Sequence, residues 1–308
     1  MKNIPQDQQD RKLEAEIQSL SAILPFFGLS QMTETPVILK GGIANHNYLI
    51  KAANGKAFVI KILINQAIDS VKNEVAIQKQ LNKAGLISTA FIQNHDGSYL
   101  YEHDGIFAVV SSKIDGVHPK VVDEPLARDI GRALASFHQS VINIPYPHEG
   151  WLNKKEAART LSLLPDSYLK RNAESLIKRG EFIYNKNLPT GIIHGDLCST
   201  NLFVKAEGDS EVIAVFDLEE AEENLLLVDL ARTIIAGCSD NSGRKLLLHL
   251  VRSMLDGYSS VRTLTQDESL FLSDAIKYTS GVCALWFLKN GFPEHAEEQI
   301  KRGQNLMA

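Results

Sequence analysis

Cysteine and tryptophan are scarce in this chain, which has three of the first and two of the second in 308 residues. Cys198, Cys238 and Cys283 form an odd, scattered set with no C-x-x-C pair and no metal-ligand spacing. That argues against a disulfide scaffold or a zinc module and reads as reduced thiols. Long apolar runs are missing too: no stretch approaches the roughly 20 apolar residues that cross a bilayer. The polar start, MKNIPQDQQDRKLEAE, lacks the apolar core of a signal peptide. A cytoplasmic protein without a membrane partner is therefore expected. Positive charge is in deficit, with 32 Lys and Arg against 37 Asp and Glu and a net charge of −5. Such a balance argues against general nucleic-acid binding, which needs a basic patch. Neither an internal repeat nor a low-complexity tract is present.

What is there is an ordinary globular composition, 44% hydrophobic and 22% charged, long enough for one or two domains. Residues 1–10 read as a tail. Leu13, Ile17, Leu20 and Leu24 then recur at helical spacing, which predicts a short helix ending near Pro25. Periodicity next shifts to strands: Val37–Leu39, Asn47–Lys51 and Ala57–Leu63, with Gly41-Gly42 in the first connection and Asn54-Gly55 as a hairpin turn in the second. A helix is predicted from an N-cap at Asp69 or Ser70 to about Lys83. Two or three strands follow, around Phe91-Ile92, the Asp96-Gly97 turn, Tyr99–Tyr101 and Ile106–Val110. Beyond Gly116 the character turns helical. Leu126, Ile130, Leu134 and Phe137 share a face behind Asp123 as cap, residues 154–184 are charged and helical, and residues 242–305 read as three helices. Short strands at Gly191–His194 and Glu211–Leu218 flank polar loops. A sheet-rich lobe followed by a helix-rich lobe makes the cleft between them the expected site.

The strongest chemical signal is His194-Gly195-Asp196-Leu197-Cys198-Ser199-Thr200-Asn201, followed by Val215-Phe216-Asp217. Phosphoryl transfer from ATP asks for a carboxylate to orient the attacking hydroxyl and take its proton, and for oxygen ligands that hold magnesium on the phosphates. Asp196 and Asn201 have the five-residue spacing of the kinase pattern H-R-D-L-x-x-x-N, and Asp217 closes an apolar strand as a second metal-binding carboxylate. Taken singly these are turn-forming residues; their order, with strands before and after, points to chemistry. A second signal is Lys61 within Phe58–Leu63. A lysine in the inward phase of an apolar strand wants a carboxylate partner, and Glu74 in the next helix is the expected one, with Glu102 as rival and a solvent-facing lysine as the plainer reading. A third is Lys40-Gly41-Gly42-Ile43-Ala44-Asn45-His46, where Gly42 and Asn45 fall between two strands and backbone N–H groups can approach phosphates. It contains no Walker sequence.

In this order, the glycine and asparagine loop, the VIKIL lysine, the helix glutamate, HGDLxxxN, the strand-end aspartate and Leu227-Val228-Asp229-Leu230-Ala231 resemble the aminoglycoside phosphotransferase and choline kinase family over roughly residues 36–235. GGIANHNYLI, DGSYL and AVVSSKIDG look most like its homoserine-kinase-type members. The resemblance implies an α+β, protein-kinase-like two-lobe fold: tail and helix over 1–35, an ATP-binding antiparallel sheet with one helix over 36–110, a hinge over 111–116, and a larger helical lobe over 117–308. It implies Asp196 as catalytic base, Asn201 and Asp217 as magnesium ligands, Lys61 braced by Glu74 on the ATP phosphates, backbone at Ser112 and Ile114 against the adenine, and Asp229 as a structural tie. One departure stands out: the segment after Asp217 reads Leu218-Glu219-Glu220-Ala221-Glu222-Glu223, more acidic and less aromatic than such members.

Those four glutamates are read either as a solvated loop or as an attraction for an amine-bearing acceptor. His138 and His46 are taken as structural and surface residues, Trp286 as core or a wall of the acceptor site, and Cys198 as no nucleophile. The expectation is an ATP- and Mg2+-dependent kinase of a small, amine-bearing alcohol, homoserine-like first, then an aminoglycoside or choline-like amino alcohol. A protein kinase is disfavoured because only eleven residues separate Asp217 from Asp229, too few for an activation loop ending in A-P-E. A catalytically dead nucleotide-binding scaffold is disfavoured because Lys61, Asp196, Asn201 and Asp217 are all present.

Overall fold

Alternating burial along residues 45–51 and 57–63 shows why they pair as a sheet. In the computed structural model, which describes residues 17–39, 45–64, 66, 68–141 and 150–305, strands β1 (Val37–Leu39), β2 (Asn45–Lys51) and β3 (Ala57–Leu63) run antiparallel, joined to β5 (Ile106–Ser112) and β4 (Tyr101–His103) in the order β1-β2-β3-β5-β4. Phe58, Ile60 and Ile62 all lie below 4% exposure and pack with Tyr48, Ile50, Ala108 and Val110. Helical residues 17–26 (α1) cover this face with Leu20, Ile23 and Leu24. The helix ends one residue past Pro25, as expected, and Ile17 is 40% exposed. The other face carries a smaller cluster, Leu63, Val109 and Val71 of α2 (Ile68–Lys83).

Gly55 turns the β2–β3 hairpin with φ +77 and its N–H bonded to the Ala52 carbonyl, as the Asn-Gly pair predicts. Helix α2 starts at Ile68, so Ser70 is not its cap but a buried residue of its first turn. Phe91 makes an isolated bridge to Ser111 instead of a strand, and the β4–β5 turn is made by Asp104-Gly105, both at positive φ. That second Asp-Gly pair was the available signal and carried the hairpin.

Two compact units emerge: residues to 79 with 89–115, and residues 80–88 with 116 onward. The second is built on α3 (Glu124–Ser140), α4 (Lys154–Leu163), α5 (Tyr168–Gly180), α6 (Leu226–Gly237), α7 (Leu248–Ser259), α8 (Gln266–Lys289) and α9 (Pro293–Gln304). Asp123 caps α3, its Oδ1 accepting from the Leu126 N–H at 3.0 Å, and Leu126, Ile130, Leu134 and Phe137 are buried as one stripe. Thr265 and Glu268 close a capping box on α8. Two short ribbons lie in this unit: β6 (Thr190–Ile193) with β9 (Glu222–Leu225), and β7 (Leu202–Val204) with β8 (Val212–Val215). The run at 219–223 is thus not one solvated loop, because Glu222 enters β9 and is 2% exposed. Among the described residues, no helix is long and apolar enough to cross a membrane.

Candidate active site

Two polar loops of the second unit run from one ribbon to the other. The chain leaves β6, passes His194–Asn201 with a 3-10 turn at Ser199–Asn201, and enters β7; it leaves β8, passes Phe216–Ala221, and returns in β9. Short strands fix both ends of both loops.

Asp229, fully buried in α6, holds the first loop by its backbone. Its Oδ2 accepts from the His194 N–H at 2.7 Å and its Oδ1 from the Gly195 N–H at 3.0 Å, while the His138 ring nitrogen Nε2 sits 2.9 Å from Oδ2. His138 continues to the Tyr258 hydroxyl at 2.8 Å, which gives this buried histidine its structural role. Burial alone would raise the Asp229 pKa, but the His138 bond and the backbone donors outweigh it and hold the carboxyl below its ordinary range. The His194 ring reaches the Phe216 carbonyl at 3.1 Å, tying the two loops together. Gly195, at φ +80, lies so close to the Glu220 carbonyl that an added Cβ would stand 2.4 Å from it. Only glycine allows that approach.

Asp196 follows with its carboxylate engaged at both oxygens. Asn201 donates from Nδ2 to the Asp196 carbonyl at 2.8 Å and to Oδ2 at 3.1 Å, and Arg232 of α6 makes an ion pair with Oδ1. Burial and the neighbouring Asp217 raise the Asp196 pKa above the carboxylate norm, against the pull of Arg232, His194 and Asn201. Asp217 has φ +65, a left-handed backbone that is uncommon for a residue with a Cβ. The Phe216 N–H bonds the Asn201 carbonyl at 3.1 Å, so the amide and the second carboxylate belong to one assembly. Asp196, Asn201 and Asp217 are thereby brought together.

In the first unit, Lys61 is half-buried on β3, opposite Asn47 and Val109, in the face that carries Leu63 and Val109. Glu74, 2% exposed, follows Val71 by three residues on the α2 face packed there, and accepts from the Gln66 amide. Asn45 is buried, its Oδ1 taking the Ile64 N–H at 3.0 Å and its Nδ2 reaching Gln66 at 3.4 Å, so it acts here as a brace for the segment after β3. Gln66, which sequence reading passed over, links Asn45, Ser70 and Glu74. Ser112 ends β5 exposed and Ile114 is partly buried just after it, with the Lys113 N–H on the Ala57 carbonyl. Gly42 lies outside the described residues.

Arg232 is the site residue that sequence reading missed outright. The signal was a cation three residues after Asp229 on a helix whose other members are mostly apolar. Its guanidinium lies 5.8 Å from the Trp151 ring centroid, and Trp151 pairs with a half-buried Trp286 at 6.2 Å. The acidic run divides. Glu222 is structural, accepting from Asn153, Asn224 and the Leu152 N–H. Glu220 is half-buried, and burial together with Glu219, Asp196, Asp217 and Glu222 pushes its pKa up to about 8. Cys198 has its thiol raised by burial and by Asp196, the opposite of an activated nucleophile.

Residues 36–264 match the model of the phosphotransferase enzyme family APH. The chain belongs to this family. As an APH-family phosphotransferase it is a small-molecule kinase, and the solved structures similar to it share its protein-kinase-like α+β fold. It is 28% identical over 238 residues to a homoserine kinase of Rhizobium meliloti, covering 74% of this chain and 70% of that one. A homoserine kinase of Paramagnetospirillum magneticum is 25% identical over 256 residues, 80% and 77% of the two chains. Amicoumacin kinase hAmiN, solved in complex with AMP-PNP, Ca2+ and Ami, matches with a TM-score of 0.73 at 12% identity over 94% of this chain and 95% of that one. A microcompartment-associated aminopropanol kinase matches with a TM-score of 0.70 at 15% identity over the same shares.

Proposed function

We propose that this APH-family phosphotransferase transfers the γ-phosphoryl group of ATP to the hydroxyl of a small amine-bearing alcohol, with a homoserine-like acceptor first. The observation that carries the reading is Asp196 held beside Asn201 and Asp217 by two loops that share their anchors. In this reading Asp196 hydrogen-bonds the acceptor hydroxyl, takes its proton as the new P–O bond forms and ADP departs, and orients the oxygen for in-line attack. Lys61, supported by Glu74, holds the phosphates; Ser112 and Ile114 meet the adenine through their backbone; and Gly42 belongs to the loop over the phosphates.

Asn201 and Asp217 fit Mg2+. They supply hard oxygen donors, and Asn201 turns its nitrogen to Asp196, leaving Oδ1 without a partner among the described residues. A site with one carboxylate and one amide suits an ion that takes its remaining ligands from phosphate and water. Bound there, Mg2+ supplies charge neutralisation on the phosphates. Glu220 supports the amine: a carboxyl crowded by other carboxyls gains most from a cation nearby.

The test is ATP consumption with Mg2+ against L-homoserine, aminopropanol, ethanolamine, choline and an aminoglycoside panel. Turnover of at least one amino alcohol well above the water background is expected. Nucleotide binding without turnover of any alcohol would instead indicate a nucleotide-binding scaffold.

A further inference from the structure

The catalytic carboxylate and the acceptor hydroxyl meet under a buried cation. Arg232 contacts Asp196 Oδ1, the oxygen that Asn201 leaves open, so an acceptor approaching Asp196 encounters the guanidinium at the same place. The Arg232 side chain is only 15% exposed, and its contact with Asp196 uses one of five N–H donors. Its Nε is buried and finds no hydrogen-bond partner among the described residues. A buried donor without a partner is uncommon and calls for a ligand or a bound water. Trp151 lies against the guanidinium at 5.8 Å, limiting the directions in which its remaining N–H groups can point.

An arginine with unused donors in a planar fork is matched by a carboxylate. Glu220, in the same unit and crowded by Asp196, Asp217 and Glu222, is a carboxyl that an ammonium group beside it would ionise. A plain amino alcohol or an aminoglycoside offers Arg232 neutral oxygens but no anion to match its fork. A molecule carrying both a carboxylate and an ammonium group satisfies both.

We propose that Arg232 anchors a carboxylate of the acceptor, so that the acceptor class is a hydroxyl-bearing amino acid rather than an amino alcohol or aminosugar. On binding, the guanidinium exchanges or shares its contact with Asp196 for the acceptor's carboxylate, which leaves Asp196 Oδ1 to the hydroxyl. The proposal rests on the phosphotransferase reading of Asp196 above and adds to it a residue that selects the acceptor.

Two matched pairs test it: L-homoserine against 3-aminopropan-1-ol, and L-serine against ethanolamine, each pair differing by the carboxylate alone. For the better-used pair the amino acid is expected to lead by about 100-fold in kcat/KM, mostly in KM, the scale set by a charge-assisted bond in a dry site. Arg232→Gln is expected to bring that ratio to within about threefold, and Arg232→Lys, which keeps charge but not the fork, to leave it intermediate. Trp151 and Trp286 are the only tryptophans of the chain, so intrinsic fluorescence with a non-hydrolysable nucleotide present reads acceptor binding without turnover. The amino acid is expected to shift it saturably in the wild type and not in Arg232→Gln. Equal use of both members of each pair by the wild type, or turnover of aminosugars alone, overturns the anchor and leaves the phosphotransferase standing. So does a loss in Arg232→Gln that falls equally on both members, which would make Arg232 a support of Asp196 only. Failure of every alcohol overturns the phosphotransferase reading, and the anchor with it.

Discussion

Asp196 has neighbours that disagree about its charge. Burial and Asp217 favour the protonated form, Arg232, His194 and Asn201 the ionised one, and the result is a carboxyl above its normal range. In the proposed role of base, a carboxyl with a raised pKa takes a proton more readily once oriented. Asp196→Ala is expected to lower kcat by about 10³-fold or more while nucleotide binding stays within a few-fold; a kcat above a tenth of wild type would remove Asp196 from the chemistry. Glu220 gives a stability prediction with a definite sign. Its folded pKa of about 8 stands above the roughly 4.3 of an unfolded glutamate. The folded state therefore holds the proton longer, its stability from this group is complete below about pH 4.3, and it is lost as pH rises through 8. In metal-free protein, Glu220→Gln is expected to match the wild type near pH 4.5 and to exceed it by on the order of 2 kcal/mol at pH 8.5, read as diverging Tm values across that range in EDTA. At this scale the sequence was legible where short spacing sets a contact, as for Asp196 and Asn201, whose side chains meet. Arg232 was not, because its partner lies 36 positions away and only the fold of α6 against the loop brings them together.

Helices α3 and α7 touch backbone to backbone. A Cβ added at Gly131 would lie 2.0 Å from the Met254 carbonyl oxygen, and one at Gly257 would lie 1.7 Å from that of Arg128. No rotamer change relieves a clash with main chain, so the helices must separate, and α3 carries His138, the partner of Asp229. Gly131→Ala is expected to destabilise the protein by about 3 kcal/mol or more in urea unfolding, despite alanine's better helix propensity; a loss under 1 kcal/mol would mean that the two helices part at little cost. Periodicity made α3 readable, since its buried stripe recurs every three or four residues. Strands β7 and β9 escaped because three or four residues carry no measurable period. Glu222 escaped for a related reason: in a run of acids its burial is decided by Asn153 and Asn224, not by its own type.

Two compact units with different secondary structure supply the residues of one proposed reaction, Lys61 and Glu74 from the first and Asp196, Asn201 and Asp217 from the second. The order of strand-rich and helix-rich segments was visible in the chain because hydrophobic period changes near Gly116 and persists over many residues. Which acceptor the protein serves was not visible, because the side chain proposed to select it, Arg232, lies 36 positions from the Asp196 that it meets. A ligand that binds only the folded protein stabilises it by about 2.7 kcal/mol at 100 times its Kd, which makes melting a measure of the whole assembly. Mg2+ with a non-hydrolysable ATP analogue is expected to raise the wild-type Tm by several degrees and the Asp196→Ala variant by nearly as much, because in the proposed reaction Asp196 acts on the acceptor. Asp217→Ala should lose the part of the shift that EDTA removes from the wild type, since that part measures the metal. If EDTA subtracts the same number of degrees from Asp217→Ala as from the wild type, the metal is held by other groups and Asp217 must be given a different role.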